Sequence, residues 1–235
     1  SQVGCGYGCA FCSTGAMGLS RNLTADEILA EFILMRAITK KVNSIVFMGM
    51  GEPLANTKNL FKAIETINSY KGFNLGIRHI TISTSGEIIG IKQLIEKDLD
   101  CRLAVSLHSL KNEVRDKIMP INKKYPIENL ISILKRYSKN GKRMITFEWV
   151  LMKDINDSVN DAYRIVNLKK EFPFKVNIIP MNPVEHAPEL KKPNKDIILR
   201  FKSILKDNGV EVIERFKQGQ DILAGCGQLA IKDYN

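Results

Sequence analysis

Three of the five cysteines in this 235-residue chain, Cys5, Cys9 and Cys12, fall within eight positions, and Gly6 and Gly8 separate the first two. They are too close together for independent disulfides, but three thiolates on one short loop can wrap a single metal centre. A structural zinc site needs four ligands and usually takes them as two separated pairs. The candidates for a fourth ligand, Cys101, Cys226, His79, His108 and His186, all lie far along the chain. A cubane [4Fe–4S] cluster can be held by three cysteines, leaving one iron for an exogenous ligand, unlike the four-cysteine clusters of electron transfer. The spacing therefore favours an iron–sulfur centre over zinc.

An odd cysteine count without a secretory leader points to a reducing compartment, where ligation or catalysis is expected rather than a disulfide framework. No apolar run is long enough to span a bilayer, so the reading is cytoplasmic with no membrane partner. Thirty-five Lys and Arg against twenty-five Asp and Glu leave a net charge of +10. Lys40-Lys41, Lys123-Lys124, Lys135-Arg136, Lys169-Lys170 and Lys191-Lys192 spread that excess along the chain. Such a surface attracts polyanions by counterion release, and it equally suits a solvated Lys-rich surface, so charge permits nucleic acid without requiring it.

The elements that must position the cysteines alternate. Strands are expected at Ser44–Met48, His79–Ser83, Arg102–Leu107, Met144–Leu151, Lys175–Pro180 and Val210–Arg215. Helical periodicity predicts Thr24–Lys40, Asn59–Tyr70, Ile89–Lys97, Ile127–Tyr137, Val159–Phe172 and Asp196–Asp207. Thr24 and Glu27 have capping-box spacing, with Ile28, Phe32 and Met35 on one side behind them, and Asn208-Gly209 is a helix stop. Strand, helix, strand with short connections implies right-handed crossovers and a parallel sheet. The sheet is either closed into a barrel or open, in one domain over 1–235.

The unusual residues gather at the strands' C-terminal ends, where parallel α/β folds bind ligands. Gly49-Met-Gly-Glu-Pro53 follows the first strand, Ser83-Thr-Ser-Gly86 the second, Ser106-Leu-His108 the third and Asn182-Pro183 the fifth. Taken alone, His108 is equally a core histidine, Ser83 a strand-end hydroxyl and Asn182 a turn former. Met48 and Met50 are expected to fill the core. Cys226, between Gly225 and Gly227, reads by physics alone as a small buried cysteine in a turn.

Cys5-x3-Cys9-x2-Cys12, with Phe11 before the last cysteine, resembles the signature of the radical S-adenosylmethionine (SAM) superfamily. That resemblance implies a partial (β/α) barrel, predominantly of parallel strands. It also implies a [4Fe–4S] cluster on Cys5, Cys9 and Cys12 whose open iron chelates SAM, and reductive cleavage of SAM to a 5′-deoxyadenosyl radical. With Pro120-Ile-Asn122 and Gly225-Cys-Gly-Gln-Leu229 added, the ordered motifs resemble the RlmN/Cfr family of RNA adenine methyltransferases over nearly the whole chain.

By this resemblance Gly51, Glu52, Ser83, Ser106, Leu107, His108 and Asn182 bind SAM. Cys226 carries a methyl group as S-methylcysteine, and the product is an adenosine methylated at carbon 2. The implied partners are 23S rRNA, tRNA and an electron donor such as flavodoxin. The family also carries an N-terminal accessory domain and a resolving cysteine upstream of the cluster loop, neither of which occurs in this sequence. Two rival readings remain. One is Cfr-type methylation at carbon 8, which Pro53 and the Ser83–Gly86 run count against. The other is a non-catalytic RNA-binding module with zinc on the three cysteines and Cys226.

Overall fold

Six short strands carry the framework: β3 (Ile45–Phe47), β4 (Ile80–Thr84), β5 (Arg102–Ser106), β6 (Ile145–Leu151), β7 (Phe174–Pro180) and β8 (Glu211–Ile213). They are seen in a computed structural model that describes residues 1–39, 41–138, 143–213 and 227–230. Each strand pairs in parallel with the next, in chain order and without reversal. A doubly wound sheet reverses its order at a switch point. Unreversed right-handed crossovers instead keep the helices on one face, which is barrel order. No β3–β8 pairing occurs among the described residues, so the architecture is α/β with an arc of parallel sheet.

The helices between the strands are α2 (Ala25–Thr39), α3 (Thr57–Asn68), α4 (Ile88–Glu96), α5 (Asn112–Ile118), α6 (Ile121–Lys124), α7 (Ile127–Ser138), α8 (Val159–Lys169) and α9 (Lys195–Asp207). Ahead of the sheet, β1 (Gln2–Gly4) and β2 (Leu19–Asn22) form an antiparallel pair around the short α1 (Ser13–Ala16).

Every predicted strand and helix is present, with ends differing by a few residues. The capping box forms as its spacing requires: the Thr24 N–H donates to Glu27 Oε2 at 2.8 Å, and the Glu27 N–H to Thr24 Oγ1 at 3.2 Å. α8 stops at Lys169 instead of Phe172, because Phe172 precedes Pro173 and is driven out of helical conformation. Met35 is half exposed, whereas Ile28 and Phe32 are buried. The expected ends at Lys40, Glu214 and Arg215 lie outside the described residues.

The strands bury two different faces. Ile80, Ile82, Leu103, Val105, Ile145, Phe147, Trp149, Val176 and Ile178 join the inward sides of the helices in one apolar core. The alternate positions stay in register on the other face, Ser83 beside Ala104 and Thr146, and Ser106 beside Glu148 and Asn177. A parallel sheet buried on both sides by protein reads as nearly continuous apolar runs. Here the inner face is polar, as a face that lines a ligand space would be. A second apolar cluster, built on Ile118, Met119, Val150, Met152, Met181, Val184 and Leu190, roofs the C-terminal end of the sheet and packs against Tyr7, Cys9, Ala10 and Phe11.

Gly90 shows how tightly the helices sit. A Cβ there would lie 2.5 Å from Leu54 Cβ and from the Leu54 carbonyl oxygen, in the turn that follows Glu52. Ala in place of helical Gly ordinarily stabilises by about 1 kcal/mol. At Gly90 the backbone clash dominates, and Gly90→Ala is expected to lose roughly 1–3 kcal/mol in urea unfolding. A stabilised variant would show that α4 has room to move away.

Candidate active site

The polar inner face opens into a cavity at the strands' C-terminal ends, lined by the cysteine loop on one side and the strand ends on the other. Cys5, Cys9, Cys12, Gly51, Glu52, Ser83, Ser106, His108, Asn182 and Gly227 all contribute to its wall. Leu107 does not: it is fully buried in the main core, and its N–H donates to the Glu148 carbonyl at 3.0 Å. Met48 and Met50 are half-buried rather than core, because the turn after β3 holds them at the rim, and Met48 lines the cavity.

The cysteine loop is fixed mainly through its backbone. The Cys5 N–H donates to the Gly18 carbonyl at 2.8 Å, the Ala10 N–H to the Ile118 carbonyl at 3.0 Å, and the Cys12 N–H to the Cys9 carbonyl at 3.1 Å. Tyr7 donates its hydroxyl to Glu87, which caps α4 and also accepts from Tyr125 at 2.9 Å. The Cys5, Cys9 and Cys12 side chains are half-buried. Burial pushes the Cys5 and Cys9 thiols up, the neighbouring Cys12 adding to the effect at Cys9, so bare thiolates are costly there without a cationic centre.

Among the described residues no three His, Cys, Asp or Glu side chains gather at one point as a single ion requires. A cubane places each ligand on a different iron, so its thiolates need not meet at a point. Three thiols lining one cavity form a donor set that fits a [4Fe–4S] cluster. Cys101 stands apart, buried ahead of β5 at the opposite end of the sheet.

Glu52 brings a buried carboxylate with both oxygens hydrogen-bonded to the wall. It is buried, and its Oε1 accepts from the Leu54 N–H at 3.0 Å, while Oε2 accepts from the Ser85 N–H at 2.6 Å and Ser85 Oγ at 2.8 Å. Burial raises its pKa, against the lowering effect of those hydrogen bonds. A cation placed beside it would compensate the burial. Gly51 has φ +91°, and a Cβ there would lie 2.5 Å from Gln2 Cβ, so only glycine fits between β1 and the turn after β3. The Glu52 N–H in turn donates to Gln2 Oε1 at 2.7 Å.

His108 is buried with φ +54°, and its Nδ1 accepts from the Val150 N–H at 3.0 Å, which leaves the ring proton on Nε2 in the neutral form. Phe11, from the cysteine loop, packs edge-on against it with centroids 4.6 Å apart. Burial, and then the charge of Arg115, push the His108 pKa down to about 3. The folded protein therefore binds one proton fewer than the unfolded chain at pH below about 6.5, and stability falls as the pH drops toward 3. Between about pH 7.5 and 5 the expected loss from this group is about 2 kcal/mol. Parallel urea titrations of the wild type and His108→Gln should show a shallower pH slope in the variant. Equal slopes would mean that His108 is protonated in the fold.

Glu148 stands out in the sequence as a charged residue within an apolar strand that could face the interior, with no role attached, and Asn156 carried no signal at all. Glu148 lines the cavity and accepts from Asn177 Nδ2 at 2.6 Å. Fully buried Asn156 holds the strained His108 turn, donating from Nδ2 to the carbonyls of His108 at 2.7 Å and Val150 at 2.8 Å. Register explains Glu148, which shares its face of β6 with Thr146 and alternates with buried Phe147 and Trp149. Asn156 lies in an irregular loop and has no such pattern.

Cys226 and Gly225 lie outside the described residues. Gly227, the next residue in the chain, has φ +82° and faces the Phe11 carbonyl so closely that a Cβ would lie 2.4 Å from its oxygen. The Ser13 N–H donates to the Gly227 carbonyl at 2.8 Å, and Thr14 Oγ1 to the Leu229 carbonyl at 2.5 Å. Residues 227–230 therefore rest on the cysteine loop. No helix among the described residues is long and apolar enough to cross a membrane.

Residues 1–166 match the family model described as the radical SAM superfamily. The chain is 47% identical to a probable dual-specificity RNA methyltransferase RlmN of Akkermansia muciniphila over 233 residues, covering 99% of this chain and 65% of that protein. A relative of the same description from a Thermotoga species is 46% identical, covering 99% and 67%. Among solved structures, a radical SAM methyltransferase from Sphaerobacter thermophilus superposes with a TM-score of 0.91 at 40% identity, covering 97% of this chain and 67% of that one. The [FeFe]-hydrogenase maturase HydG, at 12% identity and a TM-score of 0.69, shares the fold alone. The chain spans about two thirds of the length of the curated relatives it matches. It belongs to the radical SAM superfamily and, within it, to the family of RlmN RNA methyltransferases.

Proposed function

We propose that this chain is the catalytic core of an RNA methyltransferase that methylates carbon 2 of an adenosine, in 23S rRNA and in tRNA, through an S-methylcysteine on Cys226. The observation that carries the reading is the convergence of the Cys5–Cys12 loop, Glu52, Ser83, Ser106, His108 and Gly227 on one cavity. Carbon 2 of adenine lies between two ring nitrogens and is electron-poor, so it does not attack the methyl group of SAM as a nucleophile. A bound cluster supplies the electron that cleaves SAM reductively, a chemistry suited to that carbon.

The chain's own groups have distinct parts in this reading. Cys5, Cys9 and Cys12 hold the cluster. Glu52, already oriented by Leu54 and Ser85, accepts from the SAM ammonium in a charge-assisted contact. Ser83, Ser106 and Asn182 offer short polar groups along the cofactor, and His108 presents a neutral ring with its Nε2 proton. Leu107 acts through its backbone and its core packing. The glycines beside Cys226 let its thiol approach the reacting carbon closely. The net charge of +10 favours RNA as polyanion, and an acidic donor such as flavodoxin as source of the electron.

The test is mass spectrometry of nucleosides from RNA treated anaerobically with SAM, reductant and the protein together with whatever further domains its gene encodes. 2-Methyladenosine is the expected product. 8-Methyladenosine as sole product would assign the carbon-8 reaction instead. Cys226→Ala is expected to keep the cluster and SAM cleavage while losing methyl transfer, and loss of the cluster in that variant would make Cys226 a ligand.

A further inference from the structure

Arg115 is the most deeply buried arginine among the described residues, 1% exposed, on the short helix α5 beside the cavity. A buried guanidinium normally faces a carboxylate, because an unpaired buried charge is costly. Arg115 makes no ion pair among the described residues. Its Nη2 donates to the Ser85 carbonyl at 2.7 Å and the Ser106 carbonyl at 3.2 Å, its Nη1 approaches Met119 Sδ at 3.5 Å, and its Nε is buried without a partner.

Those two carbonyls belong to the residues that shape the cofactor wall. Ser85 holds the Glu52 carboxylate, and Ser106 ends β5 within the cavity lining. The same helix touches the cysteine loop, through the Ala10 N–H to the Ile118 carbonyl at 3.0 Å. The charge of Arg115 also acts on Cys9, where it favours the thiolate, and on His108, where it disfavours protonation. Asp116, the next residue, acts on Arg115 only through space. A cation held in the interior by neutral acceptors alone exerts its field on whatever anion occupies the adjacent space.

We propose that Arg115 is a positioning residue that locks the ends of β4 and β5 around the cofactor, and that its uncompensated positive charge sets the reduction potential of the cluster on Cys5, Cys9 and Cys12. The proposal rests on the cluster reading above. A nearby fixed cation stabilises the reduced, more negative state of a cluster–thiolate assembly, and net charge is among the terms that set such potentials. Removing it shifts the potential to more negative values.

The experiment is an EPR-monitored redox titration of the reconstituted full chain as wild type, Arg115→Gln and Arg115→Lys, with SAM affinity measured by calorimetry on the same samples. Arg115→Gln is expected to lower the one-electron reduction constant about tenfold, about 59 mV. Arg115→Lys is expected to stay within about twofold of wild type in potential, because it keeps the charge, while binding SAM more weakly because its ammonium does not reproduce the planar guanidinium whose Nη2 meets both the Ser85 and Ser106 carbonyls. Loaded Arg115→Gln with the wild-type potential would overturn the proposal, as would equal shifts in both variants. If Arg115→Gln takes up no cluster, Arg115→Lys alone decides: a wild-type potential supports the role of the charge and a tenfold shift overturns it. Wild-type protein that binds no cluster would instead sink the functional reading, so the two failures are distinguishable.

Discussion

Cys9→Ala is expected to purify without iron–sulfur absorbance and to form no 5′-deoxyadenosine from SAM above background under anaerobic reduction. Cys9 is the middle thiol of the loop and packs beneath the second apolar cluster with Ala10 and Phe11. Its loss removes one of the three proposed ligands and leaves the backbone bonds of the loop, Cys5 to Gly18 and Ala10 to Ile118, in place. The variant should therefore fold, with a urea midpoint close to that of the wild-type protein freed of its cluster. Removing a small buried thiol carries only the modest cost of a shallow cavity. A folded Cys9→Ala protein that keeps iron, sulfide and SAM cleavage would mean that Cys5 and Cys12 recruit another ligand, and the three-thiol assignment would fail.

Glu52→Gln carries the second large expected effect, a weakening of SAM binding by roughly 10- to 100-fold, consistent with one lost hydrogen bond to a charged group. The wild-type carboxylate takes three donated hydrogen bonds from Leu54 and Ser85, with both oxygens engaged. An amide keeps one accepting oxygen and turns its NH2 toward another donor, so a hydrogen bond is lost along with the charge that a ligand ammonium would meet. Calorimetric titration of cluster-loaded protein with SAM reads the change directly. Cluster content should stay unchanged, because Glu52 is not a ligand in this account. Wild-type SAM affinity in the variant would remove Glu52 from the cofactor site.

Much of this arrangement was legible in the sequence because the responsible forces are local or periodic. Helices with an apolar stripe, such as α7, or a stop signal, such as α9, and strands with β-branched runs, such as β4 and β6, declare themselves through spacing. The cysteine loop is legible for a different reason: three thiols within eight positions need little tertiary context to face one cavity. Parallel alternation then places Glu52, Ser83, Ser106 and Asn182 at one edge. Their roles came from resemblance, since each is also an ordinary turn or strand-end residue.

Other features were illegible because the physics that fixes them is non-local. β1 and β2 are short, and they pair across a loop of fourteen residues, Gln2 with Asn22 and Val3 with Arg21, with no periodic pattern to announce them. α5 and α6 are single turns or slightly longer, with too few residues for a period, yet they carry Arg115 and the roof of the cavity. The buried charge of Arg115 could not be told from a solvated helix-face arginine without knowing that Ser85 and Ser106 stand over it. Glu148 is visible as a charged residue within an apolar strand, but only the register with Ser106 and Asn177 gives it a place in the cavity wall.

In the proposed function the Cys5–Cys12 loop bears an iron–sulfur cluster that activates SAM. Iron, acid-labile sulfide and zinc measured on the anaerobically purified chain, with 5′-deoxyadenosine formation on the same sample, test it most directly. About four iron and four sulfide per chain are expected, with SAM cleavage that requires reductant. Stoichiometric zinc with no sulfide and no SAM cleavage would contradict it and leave the cysteine loop as a structural metal site.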